Sequence, residues 1–111
     1  MREDHQELIE RARAVAGERR LSRECVAGEV GSALRTAAGH IFVGASIDCA
    51  CGIGFCAEHS AIAAMVTAGE SRIRAIVAVG ADGTILPPCG RCREFILQVD
   101  GGNLDAEVIV G

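Results

Sequence analysis

Apolar residues recur at Leu8, Ile9, Ala12, Val15 and Ala16, one face at helical spacing, and Glu and Arg fill the opposite face. This predicts an amphipathic first helix from Asp4 to about Arg20, lying over a sheet. Val30 to Thr36 and Ile41 to Ile47 are two short β-prone runs joined by Ala37, Ala38 and Gly39, the pattern of a hairpin with glycine in its turn. Asp48 to Gly54 is rich in Gly and Cys and reads as a loop. Helix formers fill Cys56 to Ala68, where Ile62, Ala63, Met65 and Val66 supply an apolar face and Gly69 supplies a stop. Ile73 to Val79 is an apolar run broken only by Arg74, as a largely buried strand requires. Ala81, Asp82 and Gly83 form a turn, Pro87 and Pro88 precede a second short helix from about Cys89 to Val99, and Ala106 to Val110 is a last β-prone run. The later connections are βα and αβ units, so the later strands should pair in parallel. The expected architecture is α/β: a mixed sheet with helices on both faces.

The chain has 111 residues, the size of a single domain spanning 1–111, with no internal repeat or low-complexity linker. A domain this small buries only about two-thirds of its unfolded surface and benefits from a partner. The formal charge is -4, and no basic run is longer than Arg19-Arg20. A binder of polymeric DNA or RNA needs a basic footprint to displace counterions, so a nucleic-acid polymer is not the expected partner. The start, MREDHQELIERARA, is charged and lacks the apolar core of a signal peptide. No stretch reaches the roughly 18 apolar residues of a membrane span, so neither membrane nor secretion is expected. The expected compartment is the cytoplasm, where thiols stay reduced. Six cysteines in such a chain point to metal or catalytic use rather than to disulfides.

Two segments carry chemistry: Cys56-Ala57-Glu58, and Pro88-Cys89-Gly90-Arg91-Cys92. A lone C-x-x-C is a moderate signal, and an upstream C-x-E at a helix start makes it far more specific. Cys89 and Cys92 lie one helical turn apart, and Cys56 starts another helix, so both helix N-termini can meet at one edge of the sheet. Three thiolates make a zinc site with a fourth position open to water, the catalytic rather than the structural pattern. The helix N-termini offset the negative charge and favour the thiolate form, and His59, Arg91 and Arg93 could add to this. Glu58, two residues beyond a ligand, can reach the metal-bound water without binding the metal, accept its proton and later deliver one to a leaving amine. Three cysteines with a non-ligand glutamate is a known arrangement of base-modifying enzymes.

C-A-E followed by P-C-G-x-C resembles the small zinc cytidine deaminases, including their blasticidin S deaminase branch, over most of the chain. Val30-Gly31-Ser32-Ala33-Leu34 is similar to the family's first strand, and Gly39-His40-Ile41-Phe42-Val43-Gly44 to its turn and second strand. The resemblance implies a three-layer α/β/α fold, one Zn²⁺ per chain, a homotetramer with sites near subunit interfaces, and replacement of a pyrimidine amino group by water. Cys56, Cys89 and Cys92 become the metal ligands and Glu58 the catalytic residue. Ser46, Asp48, Ala57 and Pro87 become the substrate contacts. Ser46-Ile47-Asp48 stands where the family has Asn-x-Glu for the ribose, Gly28 where it often has an aromatic against the base, and His59 where an Arg commonly follows the catalytic glutamate. Relatives usually continue beyond the strand matching Ala106 to Val110, so that strand is expected to be covered by a neighbouring subunit, or the native protein to be longer.

The leading reading is therefore a deaminase of cytidine or deoxycytidine. The same reaction on blasticidin S, an aminopurine or an aminotriazine is the close alternative. A zinc-stabilised binding protein leaves Glu58 without a role, and a thiol-disulfide oxidoreductase using Cys89 and Cys92 explains neither Cys56 nor Glu58. Plainer roles remain open for other residues: Cys25 in packing, Cys49 and Cys51 as small loop residues or an accessory pair, Phe55 in core or pocket, and His59 beside the ligand sulfurs or in solvent.

Overall fold

The computed structural model describes residues 3–49, 54–87 and 90–110, with backbone alone at residues 3, 4 and 90–92. Helix α1 (Glu3–Val15) leads into strands β1 (Arg19–Ser22), β2 (Cys25–Thr36) and β3 (Ile41–Cys49). Helix α2 (Ala57–Thr67), strand β4 (Ile73–Gly80), strand β5 (Ile85–Leu86) and helix α3 (Gly90–Val99) follow. A 3-10 turn (Gly101–Asp105) and strand β6 (Glu107–Val108) complete the order.

The sheet is mixed. β2 pairs antiparallel with β3 along one edge and with β4 along the other, and β4 pairs antiparallel with β5 and in parallel with β6. The parallel pairing expected of the later strands is thus found between β4 and β6. Alternation along the strands separates two cores. Ala33, Ala75, Val77 and Val79 meet Leu8, Ile9 and Ala12 of α1 on one face. Leu34 and Ile76 meet Ile62 and Met65 of α2 and Ile96 of α3 on the other. The result is the expected three-layer α/β/α sandwich.

Several details differ from the sequence reading, β3 running on to Cys49 and the short β5 among them. The first helix ends at Val15, not near Arg20, and Arg19–Ser22 forms a strand instead. The cause is a backbone contact: the Gly17 N–H donates to the Gly28 carbonyl at 2.7 Å and turns the chain onto the sheet. β2 begins at Cys25 rather than Val30, because Cys25, Val26 and Ala27 already pair with Cys49, Asp48 and Ile47 before the register breaks and resumes at Gly31. That break is a bulge. Between α3 and β6 the 3-10 turn buries Asn103, whose side chain accepts from the Ile73 N–H at 2.7 Å and donates to the Ile96 carbonyl at 2.9 Å. It clips the end of α3 to the start of β4. Other expectations hold closely. The hairpin turn closes with the Gly39 N–H on the Thr36 carbonyl at 2.9 Å, and α2 runs from its N-cap Cys56 to its C-cap Ala68. Among the described residues no helix is long and apolar enough to cross a membrane.

Candidate active site

The start of α2 is pinned to the sheet by its own approach segment. Phe55 bridges Ile47 of β3 through two backbone hydrogen bonds, at 3.0 and 2.8 Å. Gly54 makes this possible, since a Cβ there would lie 1.9 Å from the Ile47 carbonyl oxygen. Cys56, Ala57 and Glu58 are thereby set beside Ser46 and Asp48 of β3. All five line one cleft of about 320 Å³. Glu29 and Val30 of β2, Ala78 of β4, Leu86 of β5 and Pro87 just after it contribute further walls.

Within it, Glu58 sits in the first turn of α2 and is only 6% exposed. Burial raises the pKa of its carboxyl above the ordinary 4.5, opposed in part by its own backbone N–H. Apolar side chains stand behind it: Ile76, Val77, Leu86 and Ile96 bound a small void that Glu58 shares. A carboxyl in such a wall holds a proton more readily than one in water, as a residue that takes up and passes on protons must. Cys56 is the N-cap, half-buried, and its side chain makes no capping bond. The helix dipole there favours a thiolate.

Ser46 is 5% exposed, and its hydroxyl oxygen accepts from the Val30 N–H at 3.1 Å, across the bulge. Asp48 is exposed at the rim. Ala57 is fully buried and Pro87 exposed, both on the cleft lining. Of the three expected metal ligands, Cys56 lies in the cleft, Cys89 lies outside the described residues, and Cys92 is described by its α3 backbone alone. The helices that carry Cys56 and Cys92 meet side by side. The rings of His59 and Phe95, each three residues further along, pack edge to face with centroids 4.6 Å apart.

The residues whose roles the sequence left open also find places. His59 packs on Phe95. Cys49 ends β3 instead of lying in a loop, directly across from Cys25, with the two sulfurs 3.5 Å apart. Cys51 lies outside the described residues. Phe55 is no core residue; it is 39% exposed and touches both the cleft and a second, larger groove. That groove, about 550 Å³, runs between α2 and α3 along Phe55, His59, Ala63 and Phe95. Among its described residues it is mainly apolar and lacks the thiol and buried carboxyl of the smaller cleft, so size does not mark the reactive site. Sequence reasoning missed Glu29; its only signal is its place between Gly28 and Gly31, where a strand could bulge.

The model of the cytidine and deoxycytidylate deaminase zinc-binding region matches residues 2–106. The cytidine deaminase of Mycobacterium tuberculosis is 33% identical over 76 residues, which are 68% of this chain and 57% of that protein. The chain thus spans little more than half the length of this curated relative. The crystal structure of cytidine deaminase from Mycobacterium leprae superposes with a TM-score of 0.80 at 27% identity, covering 96% of this chain and 87% of the other. The corresponding enzyme of Burkholderia pseudomallei gives 0.73 at 31% identity, covering 94% and 81%.

Proposed function

This chain belongs to the family of the cytidine and deoxycytidylate deaminase zinc-binding region, and from that premise we propose that it hydrolyses the amino group of a cytosine-type nucleoside, cytidine or deoxycytidine, releasing ammonia. The observation that carries the reading is the buried Glu58 carboxyl beside the Cys56 thiol in one cleft.

The donor set suits zinc. Cys56 offers a half-buried thiol at a helix start, and Cys89 and Cys92 would supply two more, leaving one coordination position for chemistry. A zinc ion held there supplies Lewis acidity, which makes water nucleophilic near neutral pH. Glu58 takes a proton from the attacking water as the oxygen bonds to the amino-bearing ring carbon. It passes that proton to the adjacent ring nitrogen, then takes the remaining proton from the new hydroxyl and delivers it to the departing amine, so that ammonia leaves and a carbonyl remains. Its apolar surroundings keep the carboxyl basic enough for the first step and acidic enough for the last. Ser46, Asp48, Ala57 and Pro87 form the remaining substrate surface.

A second reading, the same reaction on another amino-heterocycle such as blasticidin S, an aminopurine or an aminotriazine, is favoured by one observation. Gly28, where relatives often carry an aromatic, is packed against the Gly17 backbone and leaves no room for a side chain. The chain is proposed to act as a single domain, in a homo-oligomer, with the cytoplasm as its reducing setting.

An ammonia-release screen over cytidine, deoxycytidine, cytosine, blasticidin S, aminopurines and aminotriazines, run beside metal analysis of the purified protein, tests this. Turnover of cytidine with bound zinc supports the first reading. Fast turnover of another heterocycle with slow cytidine supports the second, and release from none of them rejects the deaminase.

A further inference from the structure

Cys25 opens β2 and Cys49 ends β3, and the two are register partners in the antiparallel ladder. Partners of this kind put their side chains on one face of the sheet, with Cα atoms about 4.5 or 5.5 Å apart. Both values fall inside the span that a disulfide bridges, about 4.4–6.8 Å. The Cys49 thiol donates to the Cys25 sulfur at 3.5 Å. A bond of about 2.05 Å needs the sulfurs to close by about 1.5 Å, a step on the scale of side-chain rotation rather than backbone movement. Both thiols are partly exposed, so a small reagent reaches them.

The pair stands apart from the proposed metal site. Ser46 and Asp48 line the cleft, and successive side chains of a strand point to opposite faces. The register break beside the pair sets Ala27 to Gly31 of β2 against only Ala45 to Ile47 of β3, so the bulge belongs to β2 and β3 alternates without interruption. Cys49 therefore shares the face of Val43, which packs with the α1 core, and points away from Cys56 and Glu58 in the cleft. The zinc reading uses Cys56, Cys89 and Cys92 and gives Cys25 and Cys49 no role. The C-x-C spacing pointed to Cys49 and Cys51 as an accessory pair; the ladder sets Cys25 opposite Cys49.

We propose that Cys25 and Cys49 are a reversible redox pair, closed by a low-molecular-weight disulfide such as oxidised glutathione into a cross-strand disulfide that staples β2 to β3 behind the cleft. One protein thiolate attacks a sulfur of the small disulfide, breaks its S–S bond and releases one small thiol. The other protein thiolate then displaces the second small thiol from the mixed disulfide. The pair gives up two protons and two electrons, and the small disulfide takes up both as it becomes two thiols. The bond joins residues 24 apart in sequence and restricts the unfolded chain, so the closed form is the more stable one. It fastens the strand ends beside Asp48 and leaves the metal ligands untouched.

The test takes the protein as purified, with its zinc content measured, reduces it and equilibrates it in glutathione buffers of rising oxidised share. Remaining thiols are alkylated and the chain is cut after arginine. Fragment 24–35 then carries Cys25 alone, and fragment 36–72 carries Cys49, Cys51 and Cys56. The expected result is a joined pair of fragments with the bond at Cys49, and an intact mass lower by two hydrogens. Zinc content is expected to stay unchanged and Tm to rise by several degrees, and dithiothreitol to reverse both the bond and the rise. Cys51→Ser is expected to form the same bond. Cys25→Ser is expected to lose the bond and the rise in Tm, and to hold a glutathione adduct at Cys49 instead. Full alkylation of Cys25 and Cys49 in the most oxidising buffer overturns the proposal. So does a bond from either of them to Cys51 or Cys56, or a Cys25–Cys49 bond that leaves Tm unchanged or lowers it.

Discussion

The backbone N–H of Val30 donates to the hydroxyl oxygen of Ser46 at 3.1 Å, bridging the bulge between β2 and β3. Ser46 thus spends its acceptor on the sheet and keeps its hydrogen to donate into the cleft. Ser46→Ala leaves a half-buried N–H without its partner, a loss of about 1–3 kcal/mol. The expected result is a melting temperature several degrees lower, read by calorimetry. The same engagement limits what Ser46 can offer a sugar. Removing the 3′-hydroxyl from a riboside substrate is expected to cost less than about tenfold in kcat/KM, since a site built around strong hydroxyl bonds penalises their loss far more. A loss of several orders of magnitude would show that Ser46 and Asp48 hold the ribose as firmly as the longer pair of the relatives.

Glu58→Gln keeps the shape of the side chain and removes its proton chemistry. Turnover is expected to fall by about 10²–10⁴, the usual worth of a general acid-base residue, with zinc content unchanged. Cys56→Ala and Cys89→Ala are expected to lose zinc, whereas Cys25→Ala, on the β2–β3 pair away from the proposed ligands, is expected to retain it. Metal analysis beside steady-state kinetics checks both. Undiminished zinc in Cys89→Ala, or more than a tenth of the turnover in Glu58→Gln, contradicts the assignment.

Much of the architecture was legible because single residues act locally. Gly39 and Gly69 end their elements through backbone conformations that need no distant partner, and the run Ile73 to Val79 is apolar but for the exposed Arg74 because β4 is covered on both faces. What escaped depends on contacts between remote segments. β1 exists because Gly17 meets Gly28, eleven residues on, and nothing in Ala16 to Arg20 announces it. Asn103 reads as a polar loop residue until Ile73 and Ile96 surround it. The site divides in the same way. Cys56 and Glu58 are read from their spacing alone, whereas Glu29 reaches the cleft only because β2 bulges.

Asp100 provides the acid side of the stability profile. It accepts from the Gly102 N–H and from the Ser71 hydroxyl, both at 2.8 Å, and lies near Arg72. The Gly102 bond first, then Ser71 and Arg72, hold its carboxyl below the ordinary 3.8. A depressed folded-state pKa adds stability that is complete above the unfolded value and is lost as pH falls through the folded one. Asp100→Asn is therefore expected to lower the melting temperature at neutral pH, and the gap from wild type to close progressively below about pH 3.8. A gap that stays constant down to the lowest accessible pH would mean that the charge of Asp100 is irrelevant.

The groove between α2 and α3 exposes Phe55 at 39% and Phe95 at 36%, with Val66 nearby on α2 at 50%. Large apolar side chains grouped in this way mark an interaction surface more often than a solvated one. In line with the homo-oligomer proposed above, the expected occupant is a second copy of the chain. Light scattering at micromolar concentration is expected to give a homo-oligomer, and Phe95→Asp to shift it towards monomer. A monomer from the unsubstituted protein would dispose of this.

Gly28 offers the sharpest test of how the substrate cleft departs from its relatives. Its φ is +85°, in the region that glycine alone adopts without strain, and a Cβ built there would stand 2.1 Å from the Gly17 carbonyl oxygen. Both features come from the Gly17–Gly28 hydrogen bond that launches β1. Gly28→Ala must therefore break that bond or distort the bulge that carries Glu29. Strain at a positive φ and a backbone collision each commonly cost about 1–3 kcal/mol, so a clear loss of stability is expected, larger than for alanine at the open Gly17 position. Gly28→Phe, which installs the aromatic common in relatives, is expected to destabilise further without improving cytidine turnover, because the side chain has no space beside Gly17. Urea melts of the three variants, with kcat/KM for cytidine on those that fold, decide the matter. A stable Gly28→Phe variant with faster cytidine turnover would mean that the β1 hairpin moves aside readily and that the cleft can adopt the relatives' way of holding the base.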